Sequence, residues 1–421
     1  MNGSRAGFFA ILFAREMTKM PMRMSRKASD LWKSVLAGAK RRWGRTLSKE
    51  IKARLWTEMS AYIRVGACDY LALIRDMCRA ARLHGYVVGA GRGAAVGSAV
   101  CSALGITGID PIRHGLLFER FLCGRKNEFP DIDFEFDREG RDWARDWLVR
   151  RFGAGRVAHI MYRLSEPSSK AGFSVHPSAV AISDIPFDWL FSVLSVDGPR
   201  LGPRHKVLNL LPADRCEAEA AGLLLVDLLP HEGLTRIRRM LERIRRSGRR
   251  VPNMGKLPLD DEQTLRLFRK GHTAGISLFD SVDMRKALRR VAPQTFDDLV
   301  IFLATKGSAV QNADEVCRAY CEGTDGALVF QEQLDAVLSD LAGVTLKDAE
   351  LIRRRLHRGH SCAALANVKE RERLEALAKT DLPMKSHAVS RAYLGYQQAY
   401  LKAHYPSYWK STIRSERSVA E

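Results

Sequence analysis

An alternating stretch, FPDIDFEF at residues 129–136, constrains the fold of this chain more than any other. Successive side chains of a β-strand point to opposite faces, so Asp131 and Asp133 would share one face while Ile132 and Phe134 pack against a core. Two carboxylates this close repel each other, and a divalent cation such as Mg2+ relieves the repulsion through oxygen ligands. The stretch predicts a strand that carries a metal site; a solvated strand face is the alternative.

The charge of the chain is the second constraint. Its 421 residues carry 68 Lys and Arg against 48 Asp and Glu, a formal net charge of +20. Such an excess attracts polyanions, with nucleic acid as the first candidate and a basic surface kept for solubility as the alternative. The length allows two or three domains with separate cores. Eight scattered cysteines without a zinc-like grouping, and the lack of an apolar run of membrane-spanning length, predict a cytoplasmic protein with no membrane partner.

A third acid and a glycine-rich loop extend the candidate site. Asp227 is the single acid in the apolar run GLLLVDLL at residues 222–229, where an unpaired carboxylate is costly to bury, so it is the natural third ligand. The loop at residues 89–98 lies between a short predicted strand and a helix predicted from Ala99. In that setting backbone N–H groups approach a phosphate and Arg92 supplies a countercharge. A structural tight turn is the alternative.

The second half of the chain is helical and basic. From Thr235 onward, many arginines alternate with apolar residues at helical spacing. The segment at residues 384–396 places Lys385 and His387 within a few turns of Arg391. This pattern predicts a helical half that binds a polyanion, attached to a strand-rich half that carries the acids.

Nine short blocks, taken in chain order, carry a resemblance to a known family. The blocks are GRGAAVGS (91–98), ITGIDP (106–111), LLFERFL (116–122), PDIDF (130–134), LVD (225–227), FQEQ (330–333), IRR (352–354), KSH (385–387) and LKAHYP (401–406). Over roughly residues 60–410 the sequence resembles the polymerase core of the bacterial replicative DNA polymerase III alpha subunits, the C-family DNA polymerases.

The resemblance implies an α+β fold with a polymerase-beta-like nucleotidyltransferase palm of mixed sheet, a large helical fingers region and a reduced thumb. It implies that Asp131, Asp133 and Asp227 bind two Mg2+ ions, for which Mn2+ can substitute. The implied activity is the addition of dNTPs to the 3′-OH of a primer on template DNA; replisome partners are not indicated. The implied nucleotide-binding residues are Gly91, Arg92, Gly93, Gly97, Ser98, Arg353, Arg354, Arg358, Lys385 and His387.

The same resemblance implies five segments. They are a basic N-terminal helical extension (1–60), a first part of the palm with the phosphate loop and the D-x-D strand (61–137), a reduced thumb-like insertion (138–172), a second part of the palm (173–232) and helical fingers (233–421). The family's phosphoesterase domain has no counterpart in the sequence, so we expect no proofreading. Its clamp-binding and OB-fold regions have none either.

Several motifs depart from the family's pattern. Leu225 stands where the family has a lysine two residues before the third aspartate. Three further blocks of the family's pattern are also replaced, at residues 176–179, 276–281 and 305–308. In the family these positions contact the template and the nucleotide. We therefore expect the replacements to affect the efficiency of polymerisation more than the binding of metal ions.

Two other classes of function remain open. One is a non-catalytic DNA-binding accessory protein of replication, against which the three acids argue, because DNA binding alone does not favour a negative cluster. The other is a template-independent or RNA-directed nucleotidyltransferase on the same palm, whose metal chemistry would be identical.

Overall fold

A computed structural model of the chain describes residues 25–122, 129–163, 173–189, 194–196, 208–307, 315–324, 326–366 and 368–420. The chain divides into two compact units. The first unit takes its residues from 1–76, 90–131 and 252–421, and the second from 77–89 and 132–251.

The described residues form helices throughout both units and strands in the second. The helices are α1 (Arg26–Trp43), α2 (Lys49–Arg64), α3 (Cys68–Leu83), α4 (Ala99–Ala103), α5 (Arg138–Phe152), α6 (Arg215–Ala220), α7 (Glu232–Arg246), α8 (Glu262–Arg269), α9 (Val282–Val291), α10 (Phe296–Ala304), α11 (Glu315–Arg318), α12 (Gln331–Ala342), α13 (Leu346–His357), α14 (Arg371–Ala378), α15 (Lys385–His404) and α16 (Pro406–Ala420). The strands are β1 (Asp133–Phe136), β2 (Val157–Arg163), β3 (Phe173–Ile182), β4 (Leu194–Val196), β5 (Leu208–Leu211) and β6 (Leu224–Pro230).

The second unit is built on one mixed sheet in the order β1-β6-β3-β2-β5-β4. The pairs β1 with β6 and β2 with β5 are parallel, and the other neighbours are antiparallel. Helices α5 and α7 pack against each other, and α7 also packs on β1. The expected α+β fold, with a mixed palm sheet and a large helical region, is confirmed.

The first unit is helical around α15. Thirteen residues of this 20-residue helix are buried, and it packs against α8, α10 and the 3-10 turn Gly93–Gly97. Tyr396 of α15 is fully buried beside Phe296 of α10, with ring centroids 5.7 Å apart. A second cluster joins α12, α13 and α14 through residues such as Val337 and Ile352. The predicted helical character of the second half is therefore present in the described residues.

Local boundaries differ from the predictions where backbone geometry intervenes. Residues 61–83 belong to two helices, because Gly66 takes a left-handed conformation (φ 70°) after α2. The strand expected over 129–136 begins only at Asp133. The short strand expected at 86–88 is reduced to one bridge between Val88 and Phe136.

The division into two compact units cuts across the predicted segments. Within the expected thumb-like insertion, residues 157–163 form β2, which lies inside the palm sheet between β3 and β5; residues 164–172 lie outside the described residues. Helix α7, expected to begin the fingers, is grouped with the sheet, and the phosphate loop with the helical unit. The cause is packing: the apolar stripe of α7 is buried on the sheet, whereas the loop packs on α15.

Candidate active site

Three carboxylates converge where β1 and β6 run side by side. Asp133 and Asp227 are register partners of these parallel strands, and Asp131 lies two residues before Asp133 along the chain. One carboxylate oxygen from each of the three lies within 4.8 Å of the others. Asp131 is exposed, Asp133 half-buried and Asp227 buried. The structure thus brings together all three acids that the sequence singles out, although Asp131 precedes the strand and is not part of it.

Two side chains hold the buried carboxylate of Asp227. The Ser178 hydroxyl on β3 donates a hydrogen bond to Oδ1 at 3.0 Å, and the Arg215 Nη1 donates to Oδ2 at 2.8 Å. Arg215 is the first residue of α6, so its guanidinium reaches the acid from a helix start. A buried carboxylate needs such partners, because desolvation penalises an unpaired charge.

The oxygen set of this cluster suits a hard divalent cation. Mg2+ prefers carboxylate oxygens together with water, and an exposed, a half-buried and a buried acid offer both protein ligands and solvent access. The carboxylates of Asp131, Asp133 and Asp227 therefore fit the Mg2+ that their sequence pattern predicts.

Sequence reasoning missed Arg215, and only a weak signal was available for it. Leu225, which replaces the expected lysine, packs into an apolar cluster with Ala181 and Ala218. A cation nevertheless reaches the site, because α6 directs Arg215 to Asp227 from twelve residues earlier in the chain.

His176 is a local structural residue. Its Nδ1 accepts a hydrogen bond from the Ala179 N–H at 2.9 Å, just ahead of the residues that pair with β6. The imidazole therefore stabilises the backbone at this point of β3.

The glycine-rich loop is organised by a buried glutamate. Ser98, expected to bind nucleotide, is fully buried, and its hydroxyl donates to Glu58 Oε2 at 2.7 Å. The same carboxylate accepts the N–H groups of Ala99 and Val100 at 3.0 Å each, so it occupies the N-terminus of α4. The anion at this helix start is therefore Glu58, and the nucleotide-binding role expected for Ser98 stays a prediction that this hydrogen bond does not support.

The glycines of this loop are required for different structural reasons. At Gly97 a Cβ would lie 2.5 Å from the Leu117 carbonyl oxygen, so this glycine permits close packing of buried backbone. Gly91 has φ 96° and a Cβ there would lie 2.8 Å from Thr107 Cγ2. Gly93, with φ 62° and open space where a Cβ would point, is the loop glycine whose surroundings leave room for a ligand.

Arg92 and His387 come together in the first unit. Helix α15 packs on the turn Gly93–Gly97, and His387 interacts electrostatically with both Arg92 and Arg391. Burial first, and then these two cations, lower the pKa of His387 to about 4. At neutral pH the histidine is uncharged and stands next to two cations, an arrangement that would accept an anion.

Arg353, expected to contact phosphate, is part of a buried ion network. It is buried, with Nε donating to Asp335 Oδ1 at 2.8 Å and Nη2 donating to Glu350 Oε2 at 2.7 Å. Arg120 Nη1 donates to the same two carboxylates at 2.9 Å and 2.6 Å. A guanidinium that is buried and paired with two carboxylates stabilises the helical unit and does not present itself to a triphosphate.

The remaining predicted cations differ in exposure. Arg354 and Arg358 are exposed at the end of α13, although Arg354 also pairs with Glu350. Lys385 begins α15, where its N–H donates to both oxygens of Glu332 at 3.0 Å. Its ammonium lies 6.0 Å from the centroid of the Phe330 ring.

Among the described residues no helix is long and apolar enough to cross a membrane.

Comparisons with known proteins agree with the motif order. Residues 29–191 match a family model described as the bacterial DNA polymerase III alpha NTPase domain. Residues 233–306 and 302–379 match the finger domain of the bacterial DNA polymerase III alpha subunit. Together these matches cover more than half of the chain.

Curated relatives named DNA polymerase III subunit alpha extend the similarity. The protein from Halalkalibacterium halodurans is 28% identical over 90% of this chain and 42% of its own length. The protein from Streptococcus pyogenes is 28% identical over 85% of this chain and 43% of its own length. The protein from Thermus aquaticus is 26% identical over 87% of this chain and 38% of its own length. The chain thus spans about two fifths of the length of these relatives.

Proposed function

Because this chain belongs to the family of bacterial DNA polymerase III alpha subunits, we propose that it is a DNA-directed DNA polymerase. It would add dNTPs to the 3′-OH of a primer on template DNA, in the cytoplasm of a bacterial or phage-infected cell. The observation that carries the proposal is the convergence of three carboxylates, from positions 131, 133 and 227, in a chain whose net charge is +20. A surface built only to bind DNA would not place three anions together.

The roles of the acids follow from their surroundings. Asp131 and Asp133 offer accessible oxygens, whereas Asp227 is fixed by Ser178 and Arg215. When bound, two Mg2+ ions would stabilise the charges that develop on the attacking and leaving oxygens. The chain's own contribution is to hold the carboxylates in place before the ions arrive, so that little reorganisation is needed.

Nucleotide binding would fall to residues of the first unit. Arg92 and Gly93 lie on the open part of the glycine-rich loop, and His387 stands beside Arg92. Exposed Arg354 and Arg358 are further candidates for the phosphates. Ser98 and Arg353 are not retained in this set, because both are buried and hydrogen-bonded to carboxylates.

The test is primer extension on a templated hairpin with Mg2+. Asp131→Asn and Asp227→Asn should each abolish extension by orders of magnitude while binding primer–template DNA as the wild type does, because only the metal site is changed. Asp184→Asn, the same change at an exposed aspartate of the second unit, is the matched control and should extend normally.

Two outcomes would contradict the proposal. A wild-type chain that binds DNA but adds no nucleotide with Mg2+ or Mn2+ would be an accessory protein. Equal incorporation of all four nucleotides without a template would indicate a template-independent transferase.

A further inference from the structure

A basic segment of the second unit is not used by the proposed reaction. Residues 232–250 contain eight arginines and two glutamates. Both glutamates already have partners, since Glu232 pairs with Arg138 and Glu242 pairs with Arg238. Eight arginines against two glutamates give α7 and the residues that follow it a positive charge excess.

The excess is concentrated on the outer side of α7. Leu234, Ile237, Met240 and Ile244 are buried and recur at spacings of three and four, which is one stripe of a helix. Arg239, Arg245, Arg246, Arg249 and Arg250 are exposed. Cations in the last turn also stabilise a helix through its dipole. That effect does not account for an arginine in the middle of the helix or for two arginines beyond its end.

The arginines of α7 are not among the residues proposed to hold the metal ions or the nucleotide. Helix α7 packs on β1 and on α5 through its buried apolar stripe.

Aromatic rings accompany the arginines on the neighbouring helix. Trp143 of α5 lies beside His84 and Tyr86, with ring centroids 4.9 Å and 5.5 Å away. The guanidinium of the exposed Arg150 lies 5.9 Å from the Trp143 ring centroid, and that of Arg238 lies 4.6 Å from Tyr86. Surfaces that bind single-stranded nucleic acid combine positive charge along the backbone with aromatic rings, and both are present here.

We propose that this basic face, defined as Arg150, Arg239, Arg245, Arg246, Arg249 and Arg250, is a second binding surface that holds the phosphate backbone of a DNA strand. Planar guanidinium groups match phosphate oxygens in a bidentate manner, which favours a nucleic acid over a carboxylate-rich protein of similar charge. The choice of ligand rests on the proposed function. The test of the surface does not require catalysis, because it measures binding of DNA that offers no primer terminus.

The test measures DNA binding against salt concentration. The probes are an unpaired 30-nucleotide strand and a blunt duplex of equal length, neither of which offers a primer terminus. Arg239→Gln, Arg245→Gln and Arg246→Gln are combined in one variant, since all three side chains are exposed. We expect the slope of log K against log salt to become shallower by about 2, with an affinity loss of roughly 10-fold or more near physiological salt.

A matched control removes the same charge elsewhere. Lys369→Gln, Arg373→Gln and Lys379→Gln are also exposed, and their combination should change the slope less. Equal losses in both variants, or an unchanged slope in the first, would overturn the proposal. If polyglutamate of equal total charge displaced the DNA from the protein, the proposal that the basic face binds nucleic acid would be overturned.

Primer extension separates this inference from the proposed function. If the wild type adds no nucleotide but the slope still depends on the basic face, the polymerase assignment fails and the binding surface stands. If extension depends on Asp227 but the slope does not depend on the basic face, the polymerase assignment stands and the binding surface fails.

Discussion

At the scale of single residues, Arg215 decides how the buried carboxylate of Asp227 is compensated. The acid is 5% exposed and receives a charged hydrogen bond from Arg215 at 2.8 Å. Arg215→Ala should lower the stability of the metal-free protein by about 1 kcal/mol, because one cation of a partly solvated pair is removed. Added Mg2+ should then raise the melting temperature more in the variant than in the wild type, because the ion replaces the missing countercharge.

Thermal melts with and without Mg2+ check this prediction. Arg215→Lys should behave like the wild type if charge is what matters. In a protein that carries Asp227→Asn, the further change Arg215→Ala should have little effect on the melting temperature. Equal Mg2+ stabilisation of wild type and Arg215→Ala would show that Arg215 is not the countercharge.

At the scale of elements, the start of α4 depends on Glu58 of α2. Its fully buried carboxylate accepts from Arg54 Nε at 2.6 Å, from the Ser98 hydroxyl, and from two N–H groups of α4. Glu58→Ala should reduce the free energy of unfolding by about 3 kcal/mol, because it leaves a largely buried guanidinium and helix N–H groups without their acceptor.

Urea denaturation measures this change. Glu50→Ala, on the exposed first turn of the same helix, is the control and should stay within about 0.5 kcal/mol of the wild type. Ser98→Ala should lose roughly 1 kcal/mol of stability. A Ser98→Ala protein that is fully stable but no longer binds dNTP would restore the phosphate role for Ser98.

At the scale of the whole chain, a buried ion network joins distant segments of the first unit. Arg120 reaches Asp335 and Glu350, which are 215 and 230 residues away along the chain, and Arg353 completes the network. Burial raises the pKa of Asp335 to about 6, with the nearby arginines opposing the shift. Arg353→Met should therefore destabilise the protein by about 3 to 5 kcal/mol, since two buried acids lose a cation.

The neighbouring Arg354 provides the control. Its side chain is 53% exposed, so Arg354→Met should cost no more than about 1 kcal/mol. A stable Arg353→Met protein with weakened dNTP binding would instead support a direct phosphate contact. Because the pKa of Asp335 is raised, the stability that its protonation contributes is full below about pH 3.8 and is lost as the pH rises through about 6.

The sequence was sufficient to predict the elements whose pattern is local. The D-x-D pair with the lone acid at Asp227 indicates the metal cluster, because a carboxylate among apolar residues demands a partner. Strands β2 and β5 were missed because their short runs have no distinctive period.

The amino-acid sequence alone establishes the chemistry available: three acids, a basic chain, a glycine-rich loop and a helical second half. Which of these groups are accessible depends on how the chain packs. Ser98 and Arg353 have the residue types of phosphate ligands, but packing buried both of them against carboxylates. The physical reason is that burial and pairing depend on residues far apart in the chain, such as Arg120 and Glu350, which no local pattern can bring together.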